Sequence, residues 1–378
     1  LSADALLDTQ HSYLLFTFTE GAAQSCGFDY AGGHAVIKRL RVEQSGTVLE
    51  DIQNYNKLMG SIVLPCQSTS EHKQTRTLLE GVRQNGGAAA ALAAGPVATA
   101  ADAASTRRNL GISNNPHDQV AGGGTYRFAI PITSGLLNCD KLVPLMLMSA
   151  PLTIEIELEN SVSVKATNNA DTPYTIRDVR YVAQLVEVGQ DVSQQLRMLQ
   201  EVSGGVLTLA GQTYRHFSGQ YAAAATNNVV NVPARVKSMK SLFFNFNGVD
   251  PVGNTPGDDI TSYNLGNGNT ADITSFQLKI GSVVYPPTPV RAAGGIGINN
   301  ASEMLMELEK AWGNTGSRFG LSQDSCLATF YTEVEARAVQ NGVYRFAPFG
   351  LDLEAFQKVA IESGVNTADR SLPISLIT

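Results

Sequence analysis

Leu152-Thr153-Ile154-Glu155-Ile156-Glu157-Leu158-Glu159 alternates apolar and polar residues without a break. Side chains of a strand point to opposite faces with a period of two. Leu152, Ile154, Ile156 and Leu158 are therefore expected to line a core, with Thr153 and the three glutamates facing water or a polar partner. The stretch reads as a half-buried strand of an antiparallel sheet. Upstream, Leu142-Val-Pro-Leu-Met-Leu-Met148 is an apolar run broken by Pro144, and Tyr126-Arg-Phe-Ala-Ile-Pro131 is another short strand.

That earlier strand has an echo in Tyr344-Arg-Phe-Ala-Pro348. A second echo pairs Gly60-Ser-Ile-Val-Leu-Pro65 with Gly281-Ser-Val-Val-Tyr-Pro286. The two recur in the same order at nearly the same offset, which predicts a duplicated unit of about 200 residues.

At 378 residues the chain has ample material for one or two domains. Hydrophobic residues make up 43% and charged residues only 16%. Ordinary globular chains carry about 25% charge, so the surface is expected to be buried in part against copies or partners. A net charge of −7 and only short basic pieces, Lys38-Arg-Leu-Arg41 and Arg107-Arg108, argue against sequence-specific nucleic-acid binding. No apolar run is long enough for a transmembrane helix, and no secretory leader is visible. Cys26, Cys66, Cys139 and Cys326 form no CxxC pair, so free thiols in a reducing assembly compartment are expected.

Taken in order, Tyr13–Thr19 and Ala35–Val42 read as strands. Thr47–Met59 reads as a helix with Val48, Ile52, Tyr55 and Met59 on one face and Leu49 beside them. A second helix is expected over 70–83, with Ser70 as N-cap and Glu71 in the first turn. Gly86 to Ser105 is mostly alanine and glycine, and Gly/Asn-rich segments run on to Gly124. Residues 86–124 are thus expected to be a peripheral insertion.

Tyr174–Val188 reads as a long strand, with Val179, Tyr181, Ala183, Leu185 and Glu187 on one face. It is followed by a helical connector over 190–201 and the break at Gly204-Gly205. Beyond it, strands are expected at Val206–Leu209, Ala234–Phe246 and Ile273–Tyr285, the last stopped by Pro286-Pro287. Asn247–Asn269 is a loop. Ser302–Trp312 is a helix with Met304, Leu305, Leu308, Ala311 and Trp312 on its apolar side. Tyr344–Pro348 is a strand, and Asp352–Glu362 a helix ended by Gly364.

Many short strands, few helices and Gly/Asn/Pro-rich turns indicate a mainly β protein of two consecutive eight-stranded jelly-roll sandwiches. The expected division is a first jelly roll over 1–189, a connector over 190–203 and a second jelly roll over 204–378. After Tyr344 the chain is too short to repeat the whole run from Tyr126 to Val188. A partner for the long strand is therefore expected from residues beyond Thr378, from the strand at Tyr13–Thr19 or from a neighbouring subunit.

Four passages carry a resemblance. They are Val48–Leu58, the run from Leu136 through Pro144-Leu145 to Leu158, Phe276–Pro286, and Asp352 through Phe356 to Thr367. Together they resemble the double jelly-roll major capsid proteins of tailless membrane-containing phages, adenoviruses, virophages and large DNA viruses. The resemblance implies a homotrimer forming a pseudo-hexagonal capsomer that tiles an icosahedral virion shell. It also implies sandwiches standing perpendicular to the shell, contacts with neighbouring capsomers, penton and minor capsid proteins, and in some members an internal membrane. The Ala-rich insertion has no counterpart in the family pattern.

Catalytic signatures are lacking. His11, His34, His72, His117 and His216 are scattered, and no nucleophile elbow, phosphate loop or dinucleotide fingerprint appears. Glu155, Glu157 and Glu159 share one strand face, as a solvated face or a salt-bridge row would; a glycosidase needs two carboxylates flanking a cleft. Asp250, Asp258 and Asp259 lack the spacing of a calcium loop. No catalytic, cofactor-binding or metal residue is assigned, and the chain is not expected to be an enzyme. The alternative function is a carbohydrate-binding or carbohydrate-active double sandwich, which would display exposed aromatics. The one tryptophan, Trp312, sits instead on the apolar side of a helix. Deleting Gly87–Ala104 should leave both sandwiches folded, since loop length costs only about 0.6 kcal/mol per doubling. Loss of cooperative thermal unfolding in that deletion variant would place the segment in the core.

Overall fold

Ser45 and Gly46 both take positive φ, 50° and 79°. Two successive left-handed residues make the tight turn of a two-residue β-hairpin. The residues on either side, Gln44 and Thr47, pair directly. The expected helix over Thr47–Met59 is therefore not formed. Thr47–Gln53 is a strand, and only from Tyr55 does the chain become helical.

The computed structural model describes residues 4–19, 21, 27–28, 31–67, 79–80, 125–139, 141–166, 173–206, 211–220, 227–245, 275–291, 302–313, 348–354 and 364–378. The insertion at 86–124 lies outside them. So do the expected helix over 70–83 save residues 79–80, the strand at Val206–Leu209 save Val206, the loop at Asn247–Asn269 and the strand at Tyr344–Pro348 save Pro348.

In the first half, β1 (Leu6–Thr19) is flanked on both edges. β9 (Thr175–Val186) runs along one edge; β5 (Thr125–Ile130) and β6 (Val143–Pro144) share the other. Because both edges of β1 are taken, it is not available to fill a gap in the second half. A short pair joins β2 (Gly27–Phe28) and β8 (Lys165–Ala166). A second sheet has the order β4 (Thr47–Gln53), β3 (Ile37–Gln44), β7 (Leu152–Leu158). Helical segments are short: α1 (Tyr55–Leu58), a π turn (Met59–Val63), α2 (Leu64–Gln67) and α3 (Ser161–Val164).

The connector α4 (Gln190–Val202) ends as expected at Gly204 and Gly205, both at positive φ. In the second half, β10 (Val229–Asn231), β15 (Ile374–Ile377), β12 (Ser275–Ile280) and β13 (Val283–Arg291) form one sheet in that order. β11 (Ser241–Phe244) pairs with β14 (Phe349–Asp352). The C-terminal strand β15 is thus central, paired on both edges.

Three sequence expectations are corrected here. Gly60–Pro65 is helical whereas Gly281–Pro286 is a turn leading into β13, so this echo is not a structural repeat. Pro286-Pro287 does not stop the strand. β13 is an edge strand whose register shifts between Phe276 and Leu278, and its prolines fall in that irregular stretch, where no ladder N–H is needed. Gln277 donates from Nε2 to the carbonyl oxygens of Pro286 at 2.7 Å and Pro287 at 3.3 Å. Finally, Asp352 closes β14 instead of opening a helix; residues 355–362 of that expected helix lie outside the described set.

The opening stretch behaves largely as read. Leu152 is buried, and Ile154 and Ile156 pack on the core. Leu158 is the exception at 48% exposure. Lys38 is an extra residue in β3 between the pairs Ile37–Leu158 and Arg39–Glu157, and this bulge ends the alternation. In β9 the same device shifts the faces. Asp178 takes φ of 52° at a register shift, so Tyr174 and Ile176 face the core before it and Tyr181 and Ala183 after it. Val179 is left outside.

Two aromatic cores result. Phe16, Phe18 and Phe128 centre the first, with Phe16 and Phe128 rings 5.7 Å apart. Phe244, Phe276 and Phe349 centre the second, with centroids 5.0 to 5.8 Å apart. Helix α5 (Ser302–Gly313) belongs to both. Its Met304 lies in the second core, while Leu308 and Trp312 lie in the first. It lies directly on Gly350 of β14, where an added Cβ would sit 2.9 Å from the Leu308 Cα and 3.1 Å from the Ala311 Cβ. Gly350→Ala should therefore destabilise the protein by about 1–3 kcal/mol, the usual cost of overpacking. Urea unfolding checks this; an unchanged midpoint would show that α5 does not need its close approach.

Candidate assembly surface

The outer face of the β4-β3-β7 sheet carries alternating charges in register. Arg39 and Arg41 on β3 stand between Asp51 on β4 and Glu155 and Glu157 on β7. Arg39 grips Asp51 with two hydrogen bonds, Nε at 2.8 Å and Nη2 at 2.7 Å. Arg41 reaches Glu155 at 3.3 Å and Glu43 at 3.2 Å, and Lys38 reaches Glu157 at 2.9 Å. The Arg39 guanidinium holds the Asp51 carboxyl below the usual range, and Glu157 raises Lys38. Glu159 turns away from this row and accepts from Asn56 Nδ2 at 3.0 Å. The structure thus brings Glu155 and Glu157 into an ion-paired row and separates Glu159 from it. These partners lie within the same chain, and exposed pairs of this kind contribute little each, at most about 1 kcal/mol.

A different surface is apolar. No residue of α4 is buried. Met198 is 61% exposed and Val202 87%, and Val192, Leu199 and Val206 are exposed with them. Leu185 and Val179 of β9 and Leu142 add to the exposed large hydrophobics of the same half.

Sequence reading missed Glu50, taken there as part of a helix. Leu49 is an extra residue in β4 between the pairs Val42–Glu50 and Glu43–Val48. This bulge turns Glu50 inward opposite Val42. A buried carboxylate needs hydrogen-bond donors, and Glu50 has four. The N–H of Gly135 donates at 2.8 Å and that of Leu136 at 3.2 Å, the Thr213 hydroxyl donates at 2.7 Å, and the Ser134 hydroxyl donates as well. The turn at Ser45-Gly46 signals a strand over this stretch but not the side Glu50 takes, because the bulge at Leu49 changes the register it sets. A second buried polar set joins His34 Nε2 to Glu80 Oε2 at 3.0 Å, with the Tyr55 hydroxyl 3.4 Å from Nδ1.

Of the other histidines, His11 contacts Asp8 and His216 contacts Asn54, while His72 and His117 lie outside the described residues. Asp250, Asp258 and Asp259 also lie outside. Among the described residues, no three His, Cys, Asp or Glu side chains are grouped to hold a metal ion, and no helix is long and apolar enough to cross a membrane.

No protein-family model matches the chain, and no curated protein matches its sequence. Solved structures do match. The crystal structure of PBCV-1 VP54 fitted into a cryo-EM reconstruction of the virophage Sputnik aligns with a TM-score of 0.51 at 12% identity. The alignment covers 99% of this chain and 77% of that one. The cryo-EM structure of the Sputnik virophage aligns with a TM-score of 0.50 at 11% identity, covering 100% and 76%.

The fold is a double jelly roll. At such low identity the likeness extends to the path of the chain and not to particular side chains.

Two phenols of the double jelly roll provide a test. Burial pushes Tyr174 and Tyr214 up to about 12, helped by the charges of Glu159 and Glu50 respectively. Folding thus favours their neutral forms. The stability they contribute is fully present below the ordinary phenol value near 10 and is lost as pH rises from there towards 12. Ultraviolet titration should show a late class of phenols ionising above the ordinary value as their rings lose burial. Replacing both by Phe should shrink that class and leave Tyr181, which burial also raises.

Proposed function

We propose that this protein is a viral major capsid protein that assembles with copies of itself into trimeric, pseudo-hexagonal capsomers of an icosahedral virion shell. The double jelly-roll path, shared along the whole chain with structures solved in the context of virus particles, is the observation that carries this reading. The chain would be a structural component and not an enzyme. Its units would divide near the connector, with 1–189 and 204–378 as the two sandwiches. Neighbouring capsomers, penton and minor capsid proteins would be its partners in the shell.

The exposed apolar row on α4 supports self-association. Large apolar groups left in water at Met198, Leu199 and Val202 favour a partner surface, and obligate interfaces commonly bury more than about 2,000 Å². The one tryptophan does not support sugar binding, because Trp312 is 2% exposed and has no face to offer a sugar ring.

Light scattering and electron microscopy of the purified protein should show a trimer or larger shell pieces. Met198→Asp combined with Val202→Asp should reduce assembly while leaving the thermal transition of each unit in place. A wild-type monomer that persists at high concentration would overturn the proposal.

A further inference from the structure

Residues 211–216 follow the connector and return across the first unit as a strap. Among its described contacts, no backbone-to-backbone hydrogen bond involves residues 211–220. Three side-chain contacts hold it instead. Thr213 donates to Glu50 at 2.7 Å, Tyr214 packs against the first core, and Asn54 Nδ2 lies 3.0 Å from Nδ1 of His216. The backbones cross closely at a pair of glycines. A Cβ on Gly135 would sit 2.0 Å from the Gln212 carbonyl oxygen, and one on Gly211 would sit 2.8 Å from the Gly135 carbonyl oxygen. Further along, Gly219 passes against Val230 of β10, a residue packed on the second core. The strap therefore bridges the two units.

We propose that the strap is a latch that opens by itself while both cores stay folded, with Glu50 as its catch. Glu50 keeps three of its four donors, Ser134, Gly135 and Leu136, when Thr213 leaves. Opening thus strands no buried charge, which is the usual reason such a contact stays shut. The units remain joined by α5, whose Leu308 and Trp312 are set in the first core and Met304 in the second. Regions with few buried apolar contacts and exposed backbone are the ones that open locally.

Arg215 lies exposed within the strap, next to the docked Tyr214, so trypsin cleavage after Arg215 reports the open form in the full-length protein. Cleavage tracks the open population when opening is fast relative to proteolysis. Thr213→Val should raise the rate of that cut about ten- to a hundredfold, the value of one hydrogen bond to a charged acceptor. Thr213→Ser, which keeps the hydroxyl, should restore the wild-type rate. In both variants the emission of Trp312, the sole tryptophan, should be unchanged, because its burial depends on α5. An unchanged cutting rate in Thr213→Val, or a rise accompanied by a shift of Trp312 emission, would overturn the proposal.

Discussion

One helix belongs to two cores, and much of the molecule follows from that. Along α5, Met304 and Leu308 are four residues apart and Leu308 and Trp312 four more, so all three lie on one stripe. The stripe is long enough to begin in the second core and end in the first. Removing Trp312 would open a large void in a core it shares with Phe243 of β11, whose ring centroid is 6.1 Å away. Large cavities of this kind cost about 3–5 kcal/mol. The constraint reaches β14, where Gly350 has no Cβ because the helix backbone occupies that space. Neither unit can move far without exposing apolar surface of the other.

A polar constraint acts beside this apolar one. Glu50 is inside because Leu49 bulges out of β4. Once inside, it organises whatever donors reach it: the turn at 134–136 from one direction and Thr213 from another. A hydrophobic residue at position 50 would fill the volume equally well but would not specify which segment crosses there. The turn and the strap then need glycine at their crossing, Gly135 and Gly211, since side chains would hold the backbones apart. A single extra residue in one strand thereby fixes the path of the chain between the units.

Strands with intact alternation or a strong apolar run were legible from the sequence, namely β1, β5, β7 and β9, as were the two helices with clear stripes, α4 and α5. The expected strands at 35–42, 234–246 and 273–285 also overlap β3, β11 and β12, but bulges hid which side chains face inward. Lys38, Leu49 and Asp178 each insert one residue into a ladder, and a period of two cannot be followed across an insertion that only the partner strand reveals. That is why the alternation puts Leu158 on the core face although it is exposed, and why Val179 does not share the buried side of Tyr181 and Ala183. The Thr47–Met59 helix failed for a related reason. Val48, Ile52, Tyr55 and Met59 fit a helical stripe, but a Ser-Gly turn fixed the first half as a hairpin strand before that stripe could form. The Gly60/Gly281 echo matched residue types in two different backbone conformations, helix and turn-plus-strand. The outer charge row was readable as a row, but its partners on β3 and β4 were not, because pairing is a property of register.

The low charge content takes on meaning once those partners are known. The outward charges of the β4-β3-β7 face are paired within the chain: Arg39 with Asp51, Arg41 with Glu43 and Glu155, Lys38 with Glu157. A row neutralised in this way offers a neighbour little net field to recognise, and long-range attraction between exposed charges is further screened by salt. Apolar surface is left uncompensated in a row on α4, at Val192, Met198, Leu199 and Val202, and at Val179 and Leu185 of β9. Association through it would gain from burial at roughly 25 cal/mol per Å² of apolar surface and would be nearly insensitive to salt. Contacts through the β4-β3-β7 face would instead have to break satisfied pairs before making new ones. The chemistry of the two faces therefore ranks them as association surfaces, with the apolar connector side ahead of the charged sheet.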